Sequence, residues 1–266
     1  MKTALAQINP TVGDLAGNTH RLLEACDNAL AAGAELVISP ELSLTGYPPL
    51  DLLYDAAFLR EVDVAITSLC DGLPEGIGLL FGAPTANPSA HGGGKPLLNS
   101  AFLCEVGRSP QVVHKRLLPS YDVFDECRYF EPAGPQPLMT FRGLKLGVSI
   151  CEDMWNEPFA ASYHTYAAHP MGDLAALGPD LFINISASPY SGHSAGTRTA
   201  LGRAICERHG IPLILVNQVG ANTDLVFDGD SRVHAPDGSV ALQAPAFEEA
   251  LLFWTFTPPS APDPVG

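Results

Sequence analysis

The sequence has few basic residues and no long hydrophobic run. Its 266 residues include 14 lysines and arginines against 29 aspartates and glutamates, a formal net charge of −15. A surface this acidic repels phosphate backbones, so we expect no nucleic-acid partner. No apolar run approaches the roughly 18 residues that a membrane-spanning helix needs, so we expect no membrane association.

Cysteine pairs at metal-binding spacing are also missing. The six cysteines lie too far apart in sequence to form a C-x-x-C pair, so we expect no zinc site and no other bound metal. The first residues, M-K-T-A-L-A-Q, do not form the apolar segment of a secretory signal. We therefore expect a cytoplasmic protein whose thiols are reduced.

The order of the predicted elements favours an α/β fold. A strand over residues 3–8, a helix capped by Asn18 or Thr19 and a strand over residues 36–39 form a β-α-β opening. Two further helices are predicted over residues 55–69 and 197–209. Further strands are predicted over residues 78–83, 99–106, 111–114, 144–150, 182–186, 212–218 and 251–256.

Three of these strands lead directly into reactive side chains. Glu41 follows the strand over 36–39, Lys115 follows the strand over 111–114, and Cys151 follows the strand over 144–150. The carboxyl ends of strands in α/β sheets often hold ligands, and a thiol at a sharp turn after a strand is a common arrangement for a nucleophile. Taken singly, each has an ordinary alternative: a surface glutamate, a solvated lysine and a buried structural cysteine.

Three segments carry a family resemblance, namely P-E-L-S-L-T-G-Y-P-P-L-D-L-L, K-R-L-L-P-S-Y-D-V-F-D-E-C-R-Y-F and G-V-S-I-C-E-D-M-W. Together they resemble the signature segments of the carbon–nitrogen hydrolase (nitrilase) superfamily. Four more segments narrow the resemblance to the glutaminase domain of glutamine-dependent NAD synthetases: Q-I-N-P-T-V-G-D-L, N-I-S-A-S-P-Y, V-N-Q-V-G and L-V-F-D-G-D-S. The similarity runs from Ala4 to about Leu252.

The resemblance implies a catalytic triad of Glu41, Lys115 and Cys151. Cys151 would attack the amide carbon while Glu41 moves the protons. Lys115 would favour the thiolate and would stabilise the oxyanion together with the backbone N–H of Glu152. Glu126 matches a second glutamate of the family that helps to hold the lysine. The resemblance implies no metal and no organic cofactor.

The predicted substrate-binding residues are Tyr47, Tyr121, Trp155, Ser188, Ser194 and Arg198. Tyr121 matches the glutamine-binding tyrosine of the family, and Ser188 matches a serine that binds the amino-acid end of the substrate. Six residues after that serine the family has Lys or Arg, where this chain has Ser194. Arg198 is the nearest alternative cation along the sequence.

The fold implied by the resemblance is a four-layer α-β-β-α sandwich, with two mixed sheets packed face to face and helices outside. We expect one domain over residues 1–256 and a proline-rich tail or linker over residues 257–266. The S-G-G-x-D-S loop of the family's synthetase half does not occur in this sequence. The chain is therefore expected to be an isolated glutaminase domain, or a subunit that supplies ammonia to an ATP-dependent NAD synthetase, and to form a homo-oligomer.

These observations leave three functional hypotheses. The first is a glutamine amidohydrolase that releases ammonia for NAD synthesis through a Cys151 thioester. The alternative is a nitrilase-like amidase for another small amide or carbamoyl compound, which the serine at position 194 supports. The third is a non-catalytic subunit of a synthetase complex, and the intact triad argues against it.

Overall fold

The structure, a computed structural model, describes residues 1–157, 166–192 and 194–258. Within these ranges the helices are α1 (Leu15–Ala31), α2 (Ala56–Asp71), α3 (Pro170–Ala176) and α4 (Ser194–His209). The strands are β1 (Lys2–Gln7), β2 (Leu36–Ile38), β3 (Gly78–Ala86), β4 (Leu97–Glu105), β5 (Gln111–His114), β6 (Met139–Phe141), β7 (Leu144–Ile150), β8 (Leu181–Ser186), β9 (Leu213–Asn217), β10 (Val219–Asn222), β11 (Leu225–Asp228), β12 (Arg232–His234), β13 (Val240–Gln243) and β14 (Ala250–Thr255).

Twelve of these strands form two six-stranded sheets of mixed direction. The first sheet has the order β14-β1-β2-β3-β4-β5, with β1, β2 and β3 parallel and the other pairs antiparallel. The second has the order β13-β12-β9-β8-β7-β6, with β7, β8 and β9 parallel. Strands β10 and β11 pair as a separate antiparallel hairpin.

The two sheets pack face to face because their strands alternate apolar side chains between two faces. On β3, Leu80 contributes to the core between the sheets, whereas Leu79 and Phe81 pack in the cluster under α1 and α2. On the second sheet, Ile183 faces the central core and Phe182 packs in the cluster with residues of α3 and α4. The layers are therefore helix, sheet, sheet and helix, and the predicted four-layer sandwich is confirmed.

The start of α1 differs from the prediction. Asp14, rather than Asn18 or Thr19, caps the helix, and its carboxylate accepts a hydrogen bond from the backbone N–H of Gly17. Asn18 is buried inside the first turns and donates to the carbonyl of Leu44. Aspartate and asparagine are about equally good N-caps, so local sequence could not choose between them.

The cysteines also differ from the prediction. Cys70 of α2 and Cys104 of β4 form a disulfide, so the expectation that all thiols are reduced is wrong for this pair. The two residues are 34 positions apart and come together only because α2 packs on the first sheet. Cys26, Cys127 and Cys151 are free, as is Cys206.

In the described part of the chain, every helix is too short or too polar to cross a lipid bilayer.

Candidate active site

The three strand-end side chains predicted from the sequence lie at adjoining ends of the two sheets. Glu41 follows β2, Lys115 directly follows β5 of the same sheet, and Cys151 directly follows β7 of the facing sheet. Lys115 Nζ lies 2.7 Å from Glu41 Oε1, and both side chains are fully buried. The charges of both residues act on the pKa of the buried Cys151 thiol. The structure therefore brings the three predicted groups into one buried site.

The carboxylate of Glu41 is held by donors from both sheets. Its Oε1 accepts from Lys115 Nζ and from the side-chain amide of Asn99, each at 2.7 Å. Its Oε2 accepts from the backbone N–H of Ala187, which follows β8 of the second sheet, at 3.0 Å. A carboxylate oxygen can accept two hydrogen bonds, so Oε2 keeps a lone pair with which to take a proton.

Glu126 is the second carboxylate on the same ammonium. Its two oxygens accept from Lys115 Nζ at 2.7 and 2.8 Å, and the Tyr47 hydroxyl donates to Oε1 at 2.8 Å. Burial acts to lower the pKa of Lys115, but Glu126 and Glu41 together raise it well above its usual range. The two carboxylates therefore favour the charged form of Lys115. Burial also raises the pKa of Glu126 to about 7, although the ammonium favours its ionised form.

Cys151 sits at a strained position in the backbone. It begins a short 3-10 turn, Cys151–Met154, directly after β7, and its φ of 43° lies in the left-handed region that non-glycine residues rarely adopt. Burial and the negative charge of Glu41 raise the pKa of its thiol well above the usual range, and Lys115 lowers it only in part. Lys115 thus acts in the predicted direction, toward the thiolate, but burial and Glu41 act more strongly on the pKa, so the thiol needs a base.

Glu152, the residue after Cys151, accepts hydrogen bonds from two tyrosine hydroxyls. Tyr121 donates to its carboxylate oxygens at 2.9 and 3.1 Å, and Tyr166 donates to Oε1 at 3.0 Å. Burial raises the pKa of Glu152, and the two hydroxyls act in the opposite direction. Tyr121 and Glu152, for which the sequence predicts separate roles, are therefore in direct contact, and Tyr166 adds a third polar group.

Ser188 is clamped by Asn217. The Asn217 side chain accepts from the Ser188 backbone N–H at 2.8 Å and donates to its carbonyl at 3.2 Å. Arg198 Nη1 lies 3.5 Å from Ser188 Oγ, so this predicted cation does reach the predicted serine. Its guanidinium, however, is buried against the carboxylates of Asp228 and Asp230. The positive charge of Arg198 is therefore largely neutralised by the protein itself.

The three remaining predicted substrate-binding residues, Tyr47, Trp155 and Ser194, lie in different surroundings. The Tyr47 hydroxyl is bound to Glu126, which places this side chain against the triad. Trp155 packs against the outer cluster beneath α3 and α4, which contains Met154 and Leu174. Ser194 is the first residue of α4, one turn before Arg198. A direct substrate contact by any of these residues stays a prediction.

Sequence reasoning missed three residues of this site: Asn99, Tyr166 and Asn217. Asn99 and Tyr166 lie outside all the segments quoted for the resemblance, and Asn217 lies in V-N-Q-V-G without an assigned role. Asn99 reaches Glu41 across 58 positions of sequence, and Asn217 reaches Ser188 across 29. Within the described ranges, no group of three or more His, Cys, Asp or Glu side chains has the arrangement of a metal site.

The chain is similar to known proteins over nearly its whole length. A family model described as carbon-nitrogen hydrolase matches residues 2–260. A glutamine-dependent NAD(+) synthetase of Synechocystis sp. is 41% identical over 254 residues, which cover 95% of this chain and 46% of that protein. The chain thus spans about half the length of the curated relatives that it matches.

Solved structures give the same picture. A glutamine-dependent NAD+ synthetase from Acinetobacter baumannii, in complex with ADP, superposes with a TM-score of 0.84 at 33% identity, covering 95% of this chain and 44% of that one. An amidase from Nesterenkonia sp. superposes with a TM-score of 0.78 at 25% identity, covering 95% of this chain and 89% of that one. The fold is therefore similar both to half of a longer synthetase and to nearly all of a single amidase.

Proposed function

The chain belongs to the carbon-nitrogen hydrolase family, and on that premise we propose that it hydrolyses the side-chain amide of L-glutamine to glutamate and ammonia. The observation that carries the proposal is the buried Glu41–Lys115 pair, 2.7 Å apart, beside the strained Cys151. Relatives named glutamine-dependent NAD(+) synthetases support glutamine as the substrate.

The first half of the reaction forms a thioester. Glu41 Oε2 takes the proton of the Cys151 thiol as the sulfur attacks the amide carbon. The carbonyl oxygen becomes an oxyanion. When the tetrahedral intermediate collapses, the C–N bond breaks and Glu41 returns its proton to the nitrogen, which leaves as ammonia.

The oxyanion needs donors that are in place before the reaction. Lys115 Nζ carries three protons, and its hydrogen bonds go to Glu41 Oε1 and to both oxygens of Glu126. In this proposal one of the two N–H groups bound to Glu126 turns to the oxyanion, which also accepts from the backbone N–H of Glu152. Two donors in a buried site of this kind contribute several kcal/mol to transition-state stabilisation.

The second half releases glutamate. Glu41 takes a proton from water, the resulting hydroxide attacks the thioester carbon, and the C–S bond breaks. The proton held by Glu41 then returns to the departing sulfur of Cys151, so the enzyme ends in its starting state. Each residue of the triad thereby serves both halves of the reaction.

The proposal also includes an enzyme that uses the released ammonia. The curated relatives are about twice the length of this chain, so we assign the ammonia to an ATP-dependent NAD synthetase domain or subunit. We place the enzyme in the cytoplasm, acting as a homo-oligomer. Ammonia release that rises when such a synthetase and its activated substrate are added would support this partner.

One observation favours a second substrate class. The charge of Arg198 is balanced by Asp228 and Asp230, and position 194 is a serine where the family has a cation. A site in which Arg198 is already paired with carboxylates suits a small amide or carbamoyl compound without a carboxylate. Turnover of L-glutamine compared with that of butyramide and a carbamoyl compound separates the two, because only an α-carboxylate receptor gives glutamine the higher kcat/KM.

The proposal is tested by ammonia release from L-glutamine. We expect Cys151→Ala to abolish release and Cys127→Ala, at an exposed free cysteine, to leave it unchanged. A diazoketone analogue of glutamine should add mass at Cys151 in the wild-type protein. Ammonia release by Cys151→Ala at the wild-type rate would exclude the mechanism.

A further inference from the structure

Asp153 is a buried carboxylate that the proposed chemistry does not use. It lies two residues after Cys151 and is 4% exposed. Its Oδ1 accepts from the backbone N–H groups of Arg116 and Leu117, each at 2.9 Å. Its Oδ2 accepts from the backbone N–H of Ile150 at 3.0 Å. All three contacts of this side chain are therefore with the main chain.

The three N–H groups belong to the two segments that carry the lysine and the nucleophile. Arg116 and Leu117 directly follow Lys115 at the end of β5, in the first sheet. Ile150 is the last residue of β7, in the second sheet, and directly precedes Cys151. One carboxylate thus joins the two sheets at the point where they present the reacting groups.

The backbone on both sides of this bridge needs such a constraint. Cys151 has a φ of 43°, a conformation that persists only where the surroundings hold it. The backbone N–H of Lys115 donates to the carbonyl of Asn99, and its carbonyl accepts from the N–H of Ala133. Within the described ranges, neither of these backbone–backbone bonds reaches the second sheet. Asp153 supplies the hydrogen-bonded link from that segment to the turn with the nucleophile.

We propose that Asp153 is a positioning residue that fixes the Cys151 sulfur relative to Lys115 and Glu41. This inference rests on the proposed cysteine chemistry and adds a residue to it. Asp153 touches neither the reacting atoms nor the substrate, so its loss should slow the step of Cys151 without changing how the substrate binds. A 1 Å displacement of a reacting group can reduce the rate about a hundredfold.

The test is Asp153→Asn, which keeps the shape of the side chain. An amide has one oxygen, so it can accept at Oδ1 or at Oδ2 but not at both, and its NH2 group opposes a backbone N–H. Asp180→Asn is the matched control, because Asp180 Oδ2 accepts from the backbone N–H of Lys145 at the opposite end of β7.

Three experiments are done on each variant: steady-state ammonia release, which gives kcat and KM, thermal unfolding, which gives the melting temperature, and alkylation by iodoacetamide, whose rate is measured at Cys151 and at Cys127. We expect Asp153→Asn to lower kcat and Cys151 alkylation by roughly 10- to 100-fold. KM and the alkylation of the exposed Cys127 should stay within twofold of wild type, and Asp180→Asn should match wild type throughout. A lower melting temperature with kcat and Cys151 alkylation unchanged would overturn the proposal.

The design separates this inference from the proposed substrate. If the wild-type protein releases no ammonia from glutamine, the proposed substrate fails, while Cys151 alkylation still decides the role of Asp153. If Asp153→Asn does not fold, Asp153→Glu is measured instead, since it keeps a carboxylate acceptor at a shifted position. Wild-type kcat and wild-type Cys151 alkylation in Asp153→Glu would also overturn the proposal.

Discussion

The ammonium of Lys115 donates to both carboxylate oxygens of Glu126, at 2.7 and 2.8 Å, with both side chains buried. Breaking a buried ion pair from one side leaves a charge without its partner, which commonly costs about 3–5 kcal/mol. Glu126 is also linked to Tyr47, so the position of the ammonium depends on side chains that do not react. The position of the Lys115 ammonium should therefore change when Glu126 or Tyr47 is substituted.

Glu126→Gln should weaken catalysis without weakening substrate binding. The amide keeps one acceptor for Lys115 but loses the negative charge and the second acceptor, so the ammonium is held less firmly. We expect a loss of about 2 kcal/mol of transition-state stabilisation, or roughly 30-fold in kcat. Steady-state ammonia release gives kcat and KM. The matched control is Glu131→Gln, whose carboxylate binds the backbone N–H of Lys95 at 2.7 Å, and it should keep wild-type kcat.

Tyr47→Phe separates two roles for this tyrosine. Its hydroxyl donates to the buried Glu126 carboxylate, and a hydrogen bond to a charged group contributes about 1.5–3 kcal/mol. We expect the free energy of unfolding, measured by urea denaturation, to fall by this amount. We also expect a lower kcat and an unchanged KM for ammonia release. Tyr129→Phe is the control, because its hydroxyl donates at 2.7 Å to the largely exposed Asp51 and should contribute less.

The opposite result would have a clear meaning. If Tyr47→Phe raises KM and leaves both kcat and stability unchanged, the hydroxyl serves the substrate, as the sequence resemblance predicts. The contact with Glu126 would then carry no measurable energy.

Much of the architecture and the reacting groups could be predicted from the sequence. The alternation of Leu144, Leu146, Val148 and Ile150 predicts a strand with one apolar face, and the structure has β7 over that range. The predicted strands over residues 99–106 and 111–114 correspond to β4 and β5, which pair with Ser100 opposite His114. These features depend on local periodicity and turn chemistry, which sequence carries directly.

The supporting contacts could not be predicted in the same way. Asn99 binds Glu41, and Tyr166 binds Glu152, through side chains that local patterns leave ambiguous. The direction of the Cys151 pKa also depends on a balance between burial and charges from both sheets. Such balances follow from distances between segments that are remote in sequence, and only the folded structure supplies those distances.

Gly82→Ala should displace the general base. A Cβ on Gly82 would lie 2.8 Å from the carbonyl carbon of Glu41 and closer still to the backbone nitrogen of Leu42. Because those atoms belong to main chain, the Glu41 segment must move. Overpacking of this kind typically costs about 1–3 kcal/mol, and we expect kcat to fall at least 10-fold with it.

Gly134→Ala is the matched control for that substitution. A Cβ at Gly134 meets no atom within 4 Å, so stability and kcat should stay at wild-type values. Urea denaturation and ammonia release are measured for both variants. Wild-type kcat in Gly82→Ala would mean that the Glu41 segment can absorb the added methyl group without moving its carboxylate.

The titration of Asp153 gives a prediction for stability against pH. Burial raises its pKa to about 6, from 3.8, because burial disfavours the carboxylate more than the bonds from the Ile150, Leu117 and Arg116 backbone and the charge of Lys115 favour it. The folded protein therefore binds this proton more tightly than the unfolded chain does. The resulting stabilisation is complete below pH 3.8 and is lost as the pH rises through about 6.

A raised pKa of this size corresponds to about 3 kcal/mol between the two ends of the titration. Asp153→Asn has no proton to bind at this side chain. The free energy of unfolding of the wild type, relative to that of the variant, should therefore fall by most of that amount between pH 4 and pH 8. Urea denaturation at several pH values measures the difference. Asp237→Asn is the control with the opposite sign, because hydrogen bonds from Ser239 lower the pKa of this exposed carboxyl. A wild-type advantage over Asp153→Asn that does not change with pH would show that Asp153 titrates alike in the folded and unfolded chains.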